Sequence, residues 1–129
     1  MNRLPLGHFH VPVQVGSRSA RGFASLDALV DTGATYTWVP RDVLDAVGVV
    51  PEDEWPFLLA DGREVRYDVA WAQIRIAGRE QPTIVVFGVP GSEPILGVVT
   101  LEEFLLAADP VHRVLIPVPG LLKRSAEPA

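Results

Sequence analysis

Twelve prolines and eleven glycines punctuate this 129-residue chain at short intervals, and that spacing constrains its fold more than any other feature. Proline removes a backbone donor and glycine weakens regular elements, so long helices are excluded and short strands joined by turns are favoured. The class is read as mostly β, with one or two short helices. Phe9 to Val15 alternates in part, and Gly22 to Val30 forms a second run, with Gly16-Ser17-Arg18-Ser19 as the turn of a hairpin between them. Val69 to Ala77 places Ala70, Ala72, Ile74 and Ile76 on one face and Trp71, Gln73 and Arg75 on the other, the period of a half-buried strand. Thr83 to Phe87 is apolar on both faces and is expected inside the sheet.

Two short helices interrupt the strands. The first is expected after Pro40, a residue suited to a first helical position, and Gly48 closes it. The second is expected to open at Thr100 with Glu103 as its capping-box partner. It would carry Leu101, Phe104, Leu105 and Ala108 at helical spacing until Pro110 stops it. Val114 to Val118 supplies a last strand. No internal repeat or low-complexity segment is present.

A length of 129 residues suits one domain, with a core of about residues 9–118 and a C-terminal tail over 119–129 that is most polar from Lys123 onward. Hydrophobic residues make up 48% and charged ones 21%, a globular composition. The net charge of −5 and the scattering of eleven Lys and Arg residues disfavour nucleic acid and an anionic membrane surface as partners. The absence of cysteine removes disulfides, thiolate nucleophiles and Cys-based zinc sites. Prolines and histidines stand where a signal peptide would carry its apolar core, and no apolar run approaches the roughly 18 residues of a membrane helix, so a cytoplasmic setting is expected.

Against this background one acid stands out. The apolar run ending at Val30 is followed at once by Asp31-Thr32-Gly33-Ala34. The carboxylate of Asp31 can hold and deprotonate a water molecule that attacks an amide carbonyl. Gly33 lets the backbone approach a substrate closely, and Ala34 keeps the floor of the site small. Farther on, Ala60-Asp61-Gly62-Arg63 has the chemistry of a hairpin tip, and Pro94-Ile95-Leu96-Gly97 precedes the second helix.

In this order the three elements resemble the retropepsin-like, or retroviral-type, aspartic proteases, over roughly Val11 to Val118, and are most similar to bacterial single-domain members. The resemblance implies a closed β-barrel of the acid-protease fold, with Asp31 as the catalytic residue and Thr32, Gly33 and Ala34 as its active-site loop. It also implies a hydrogen bond from Thr32 across a two-fold axis and a substrate-binding flap at Ala60, Asp61, Gly62 and Arg63. Ile95-Leu96-Gly97 has a packing role. The chemistry needs one ionised and one protonated carboxylate side by side. Because the chain holds no second Asp-Thr-Gly or Asp-Ser-Gly, a homodimer giving one Asp31 from each subunit is expected. The substrate would be a peptide or protein segment bound as an added strand, with no metal or organic cofactor required. The chain departs from many viral members at Thr35, Tyr36 and Val98, and at the Asp and Arg of the flap tip.

Plainer readings stand beside these. Asp31-Thr32-Gly33 also suits an Asx-type turn, and the same fold also suits a non-catalytic peptide-binding or oligomerisation module. His8 and His10, without a third ligand nearby, read as surface or packing residues rather than a metal pair. Glu52-Asp53-Glu54 reads as a solvated face, and Trp38, Trp55 and Trp71 as core or cleft wall.

Overall fold

The computed structural model describes residues 8–19 and 22–120. The expected tail from Lys123 lies outside these residues.

Strands β1 (Phe9–Gly16) and β2 (Phe23–Val30) form the expected hairpin, paired from Phe9 opposite Val30 to Gly16 opposite Phe23. After the acid loop come β3 (Thr37–Pro40) and helix α1 (Arg41–Ala46). Strands β4 (Asp53–Leu58), β5 (Glu64–Ile76) and β6 (Arg79–Gly88) then make two successive hairpins. A two-residue strand β7 (Ile95–Leu96), helix α2 (Val98–Glu103) and a small hairpin of β8 (Leu106–Asp109) and β9 (Val114–Pro117) complete the chain.

The main sheet runs β1-β2-β7-β3-β6-β5-β4, and a further ladder joins β1 to β5 through Gln14–Arg75, Val15–Ile74 and Gly16–Gln73. That ladder turns the pairing order into a ring of β1, β2, β7, β3, β6 and β5, with β4 outside it. A ring leaves few free edges and traps one face of every strand inside. Val15, Val30, Leu44, Ile74, Val85, Leu96, Leu101 and Phe104 fill that interior at 2% exposure or less. Each such side chain contributes about 1.5–3 kcal/mol by leaving water.

The alternation of β5 reads directly onto the structure. Ala70, Ala72, Ile74 and Ile76 are buried and Trp71 and Arg75 are exposed. Strand β6 is buried from Val85 to Gly88 on both faces, as its composition predicts. Trp71 departs from the expected core or cleft-wall role: it stands on the outer face, 39% exposed.

The helices differ from expectation in their ends. Pro40 is the N-cap of α1 and the last residue of β3, one position before the first helical residue. Gly48 closes the helix as expected, at φ 81° with its N–H on the Asp45 carbonyl. Helix α2 starts at Val98, with Gly97 as its N-cap and no side-chain cap bond. The Thr100–Glu103 capping box does not form because Thr100 lies inside the helix, where its buried hydroxyl meets those of Thr37 and Thr83. The helix ends at Glu103 rather than Ala108. Leu105 takes a left-handed φ of 53° and sits on the surface, and Leu106 turns inward as the start of β8. Among the described residues no helix is long and apolar enough to cross a membrane.

Candidate active site

Strand β2 delivers Asp31 to the surface. Val30 is fully buried between its neighbours, while the Asp31 side chain one residue later is 28% exposed. The turn that follows is tight, with Ala34 N–H donating to the Asp31 carbonyl at 3.0 Å. Gly33 N–H donates to Asp31 Oδ1 at 2.9 Å, so the Asx-type turn of the plainer reading is present. It also orients the acid: one carboxylate oxygen is held by the loop, and Oδ2 has no hydrogen-bond partner among the described residues. A Cβ at Gly33 would stand 3.2 Å from Oδ1 and crowd the carboxylate. Thr32 and Gly33 are exposed and Ala34 is half-buried.

The loop rests on β7 and α2. Asp31 N–H donates to the Leu96 carbonyl at 3.2 Å. The first two amides of α2, on Val98 and Val99, would lack intrahelical partners. They donate instead to the Ala34 and Thr35 carbonyls, both at 2.9 Å. Gly97 makes this approach possible: a Cβ there would lie 2.4 Å from both C and O of Tyr36 and 2.8 Å from O of Thr35. Ile95-Leu96-Gly97 thus has the packing role expected, and through Leu96 it also anchors the acid.

Ala60, Asp61, Gly62 and Arg63 form the exposed tip of the β4–β5 hairpin. Leu59 N–H donates to the Arg63 carbonyl at 2.7 Å, and Gly62 occupies φ 88°, a region that glycine enters without penalty. Asp61 clasps the tip, accepting Arg63 N–H at 3.0 Å on Oδ1 and Arg63 Nε–H at 2.7 Å on Oδ2. The Arg63 amide, and after it the guanidinium, hold the Asp61 carboxyl below its ordinary value of 3.8. A group with a lowered folded pKa contributes above its unfolded value and loses that contribution as pH falls through the folded one. The Arg63 amide resonance should therefore titrate with a midpoint below 3.8 and become flat in Asp61→Asn. A midpoint at or above 3.8 would contradict the clasp.

Beneath the hairpin lies an aromatic cluster that sequence reading did not assemble. Tyr36, next to the acid loop, meets Trp55 at 5.4 Å and Phe57 at 6.3 Å between ring centroids. Trp38 meets Tyr67 at 4.9 Å and Phe57 at 5.4 Å. These edge-on and tilted pairs suit the aromatic quadrupole, and they join β3 to the inner face of β4 and β5. The signal available was Trp55 and Phe57 at period two, opposite Tyr67 and Val65 in the ladder. Glu52, Asp53 and Glu54 are exposed, as expected, with Glu54 paired to Arg66 and Asp53 Oδ2 accepting the Trp55 indole N–H at 3.1 Å.

The two N-terminal histidines face different carboxylates. His10 Nε2 meets Glu93 Oε1 at 2.8 Å, and His8 Nε2 stands 3.5 Å from Asp31 Oδ1. The second contact brings a titratable ring to the acid, a proximity with no signal in the spacing of the sequence.

A protein-family model described as "gag-polyprotein putative aspartyl protease" matches residues 20–103, a stretch that includes Asp31, the β4–β5 hairpin and Leu96-Gly97. The chain belongs to this family. The retropepsin-like fold is shared with solved viral proteases. Simian foamy virus (mac) protease is 22% identical with a TM-score of 0.52, over 73% of this chain and 94% of that one. EIAV protease, solved with the inhibitor HBY-793, is 17% identical with a TM-score of 0.53, over 75% and 88%. The foamy viral protease-reverse transcriptase, solved with an RNA/DNA hybrid, is 18% identical with a TM-score of 0.51, and the match covers 71% of this chain and 11% of that one. At these identities the likeness speaks for the fold. A search of curated proteins returned no match.

Proposed function

We propose that this chain is an aspartic endopeptidase that cuts peptide bonds in extended segments and works as a homodimer, with Asp31 of each subunit forming the catalytic pair. The observation that carries the reading is the Asp31 carboxylate itself: a partly exposed acid with one oxygen held by Gly33, on a loop braced by Leu96 and Gly97. In the pair, the ionised carboxylate takes a proton from the attacking water while the protonated one donates to the carbonyl oxygen. Thr32, Gly33 and Ala34 form the loop around the pair. Ala60, Asp61, Gly62 and Arg63 act as a flap that closes over the substrate and excludes water. Residues 9–118 act as one protease domain, acting on a peptide or protein partner without nucleic acid, membrane or cofactor. A cytoplasmic setting fits a chain without cysteine.

One carboxylate per chain makes activity a property of the dimer. Specific activity against a diverse peptide pool should fall on dilution in step with the dimer fraction measured by light scattering. A dilute, well-folded monomer that cleaves as fast per chain would overturn the shared pair. A stable dimer that binds peptides and cuts none from acidic to neutral pH would leave a non-catalytic binding module.

A further inference from the structure

We propose that Glu103 is a distal positioning residue for Asp31, acting through a one-way chain of hydrogen bonds that crosses the core. The chain begins at the acid, where Asp31 N–H donates to the Leu96 carbonyl at 3.2 Å. The same peptide group sends its other end, Gly97 N–H, to Thr37 Oγ1 at 3.0 Å. Thr37 Oγ1 lies 2.6 Å from Thr100 Oγ1, which lies 3.0 Å from Thr83 Oγ1. Thr83 donates to Glu103 Oε1 at 2.6 Å.

Proton counting sets the direction. A hydroxyl carries one proton, and an ionised carboxylate only accepts. Thr83 gives its proton to Glu103, so the Thr83–Thr100 contact uses the proton of Thr100. The Thr100–Thr37 contact then uses the proton of Thr37, which remains an acceptor toward Gly97. Reversing the Thr83–Thr100 or Thr100–Thr37 link would set two oxygens face to face with no proton between them. The three threonines are only 0–4% exposed, so no solvent relieves such a contact. Bonds aligned head to tail polarise one another, and the terminal carboxylate gives the series its polarity.

The consequence for the acid is geometric. The Leu96–Gly97 peptide group is held at both ends, and its carbonyl holds the main chain of Asp31. Glu103 is exposed on the last turn of α2, so it can be replaced without opening the core. The catalytic effect of such a change rests on the proposed role of Asp31; the effect on backbone hydrogen bonds does not.

The test compares Glu103→Gln, Glu103→Ala and Glu103→Lys by amide hydrogen exchange at Gly97 and Asp31, with the Ile74 amide of β5 as reference, alongside kcat and KM. Glu103→Gln keeps an acceptor oxygen and should match wild type. Glu103→Ala removes the terminal acceptor and Glu103→Lys offers a donor. Both should speed exchange at Gly97 and Asp31 about fivefold, the worth of one net hydrogen bond, with Ile74 unchanged. In an active enzyme kcat should fall by a similar factor with KM constant. Thr100→Ser should behave as wild type and Thr100→Val as Glu103→Ala. Unchanged exchange at Gly97 and Asp31 in both Glu103→Ala and Glu103→Lys overturns the proposal, as does equal acceleration at Ile74. Accelerated exchange confined to Gly97 and Asp31, in a protein whose wild type cuts no peptide, sustains the chain and removes the catalytic reading of Asp31.

Discussion

Asp31→Asn is expected to reduce kcat for peptide cleavage by at least about a thousandfold, within the range that a positioned acid or base contributes. The substitution is chosen to change chemistry and little else. Asparagine keeps an oxygen at the place of Oδ1, so the bond from Gly33 N–H at 2.9 Å can persist and the turn keeps its shape. The main-chain bonds from Asp31 to Leu96 and from Ala34 to Asp31 are untouched. An amide oxygen cannot take up the proton of the attacking water at neutral pH, and the pair loses the charge it shares. Folding stability, dimer mass and peptide affinity should stay close to wild type while turnover disappears. An Asp31→Asn protein that cleaves the same peptides at an undiminished rate would exclude Asp31 as the catalytic group.

Gly97→Ala should destabilise the chain by about 3 kcal/mol, at the upper end of ordinary overpacking, because the obstacle is main chain. At φ −90° and ψ 168° an alanine is conformationally comfortable, so the whole cost is steric. The added Cβ would meet C and O of Tyr36 at 2.4 Å, and neither can move without moving the acid loop. Relief would lift Thr35 and Tyr36 off α2, weaken the bonds from Val98 and Val99, and carry Asp31 out of position. Activity and stability should fall together. Gly62→Ala is the matched control: no atom lies within 4 Å of its Cβ, and its cost is the left-handed φ alone, about 1 kcal/mol, at a tip remote from the core. Urea midpoints for the two variants decide the matter, and equal stability for Gly97→Ala and wild type would refute the close approach.

The proline and glycine spacing, the period of β5 and the two-sided apolar run of β6 were legible because local chemistry decides them. A turn needs its turn residues, and a half-buried strand needs alternation. The motif at Asp31 and the Gly97 element were legible for the same reason, since each depends on residue types that few other sites require.

What failed to show lies where distant residues compete. Thr100 and Glu103 have the spacing of a capping box, yet the burial of Thr37 and Thr83 draws the Thr100 hydroxyl and the Glu103 carboxylate into the core chain instead. Leu105 has helical spacing, yet the helix stops before it so that Leu106 can enter the core. No window of sequence contains both Tyr36 and Trp55, or both His8 and Asp31.

From the sequence alone came a mostly β chain, the turn chemistry of the hairpin tip, and an acid presented on a turn at the end of an apolar strand. The tertiary structure alone decided that β1 pairs with β5 to join the sheet into a ring, and that the acid rests on the Leu96–Gly97 peptide group. It also decided that the hairpin stands on the rings of Tyr36, beside the acid loop, and Trp38 of β3. The reason is physical: local preferences are set by neighbours within a few residues, whereas the partner of each backbone amide and buried hydroxyl is set by whichever distant group the fold brings within about 3 Å.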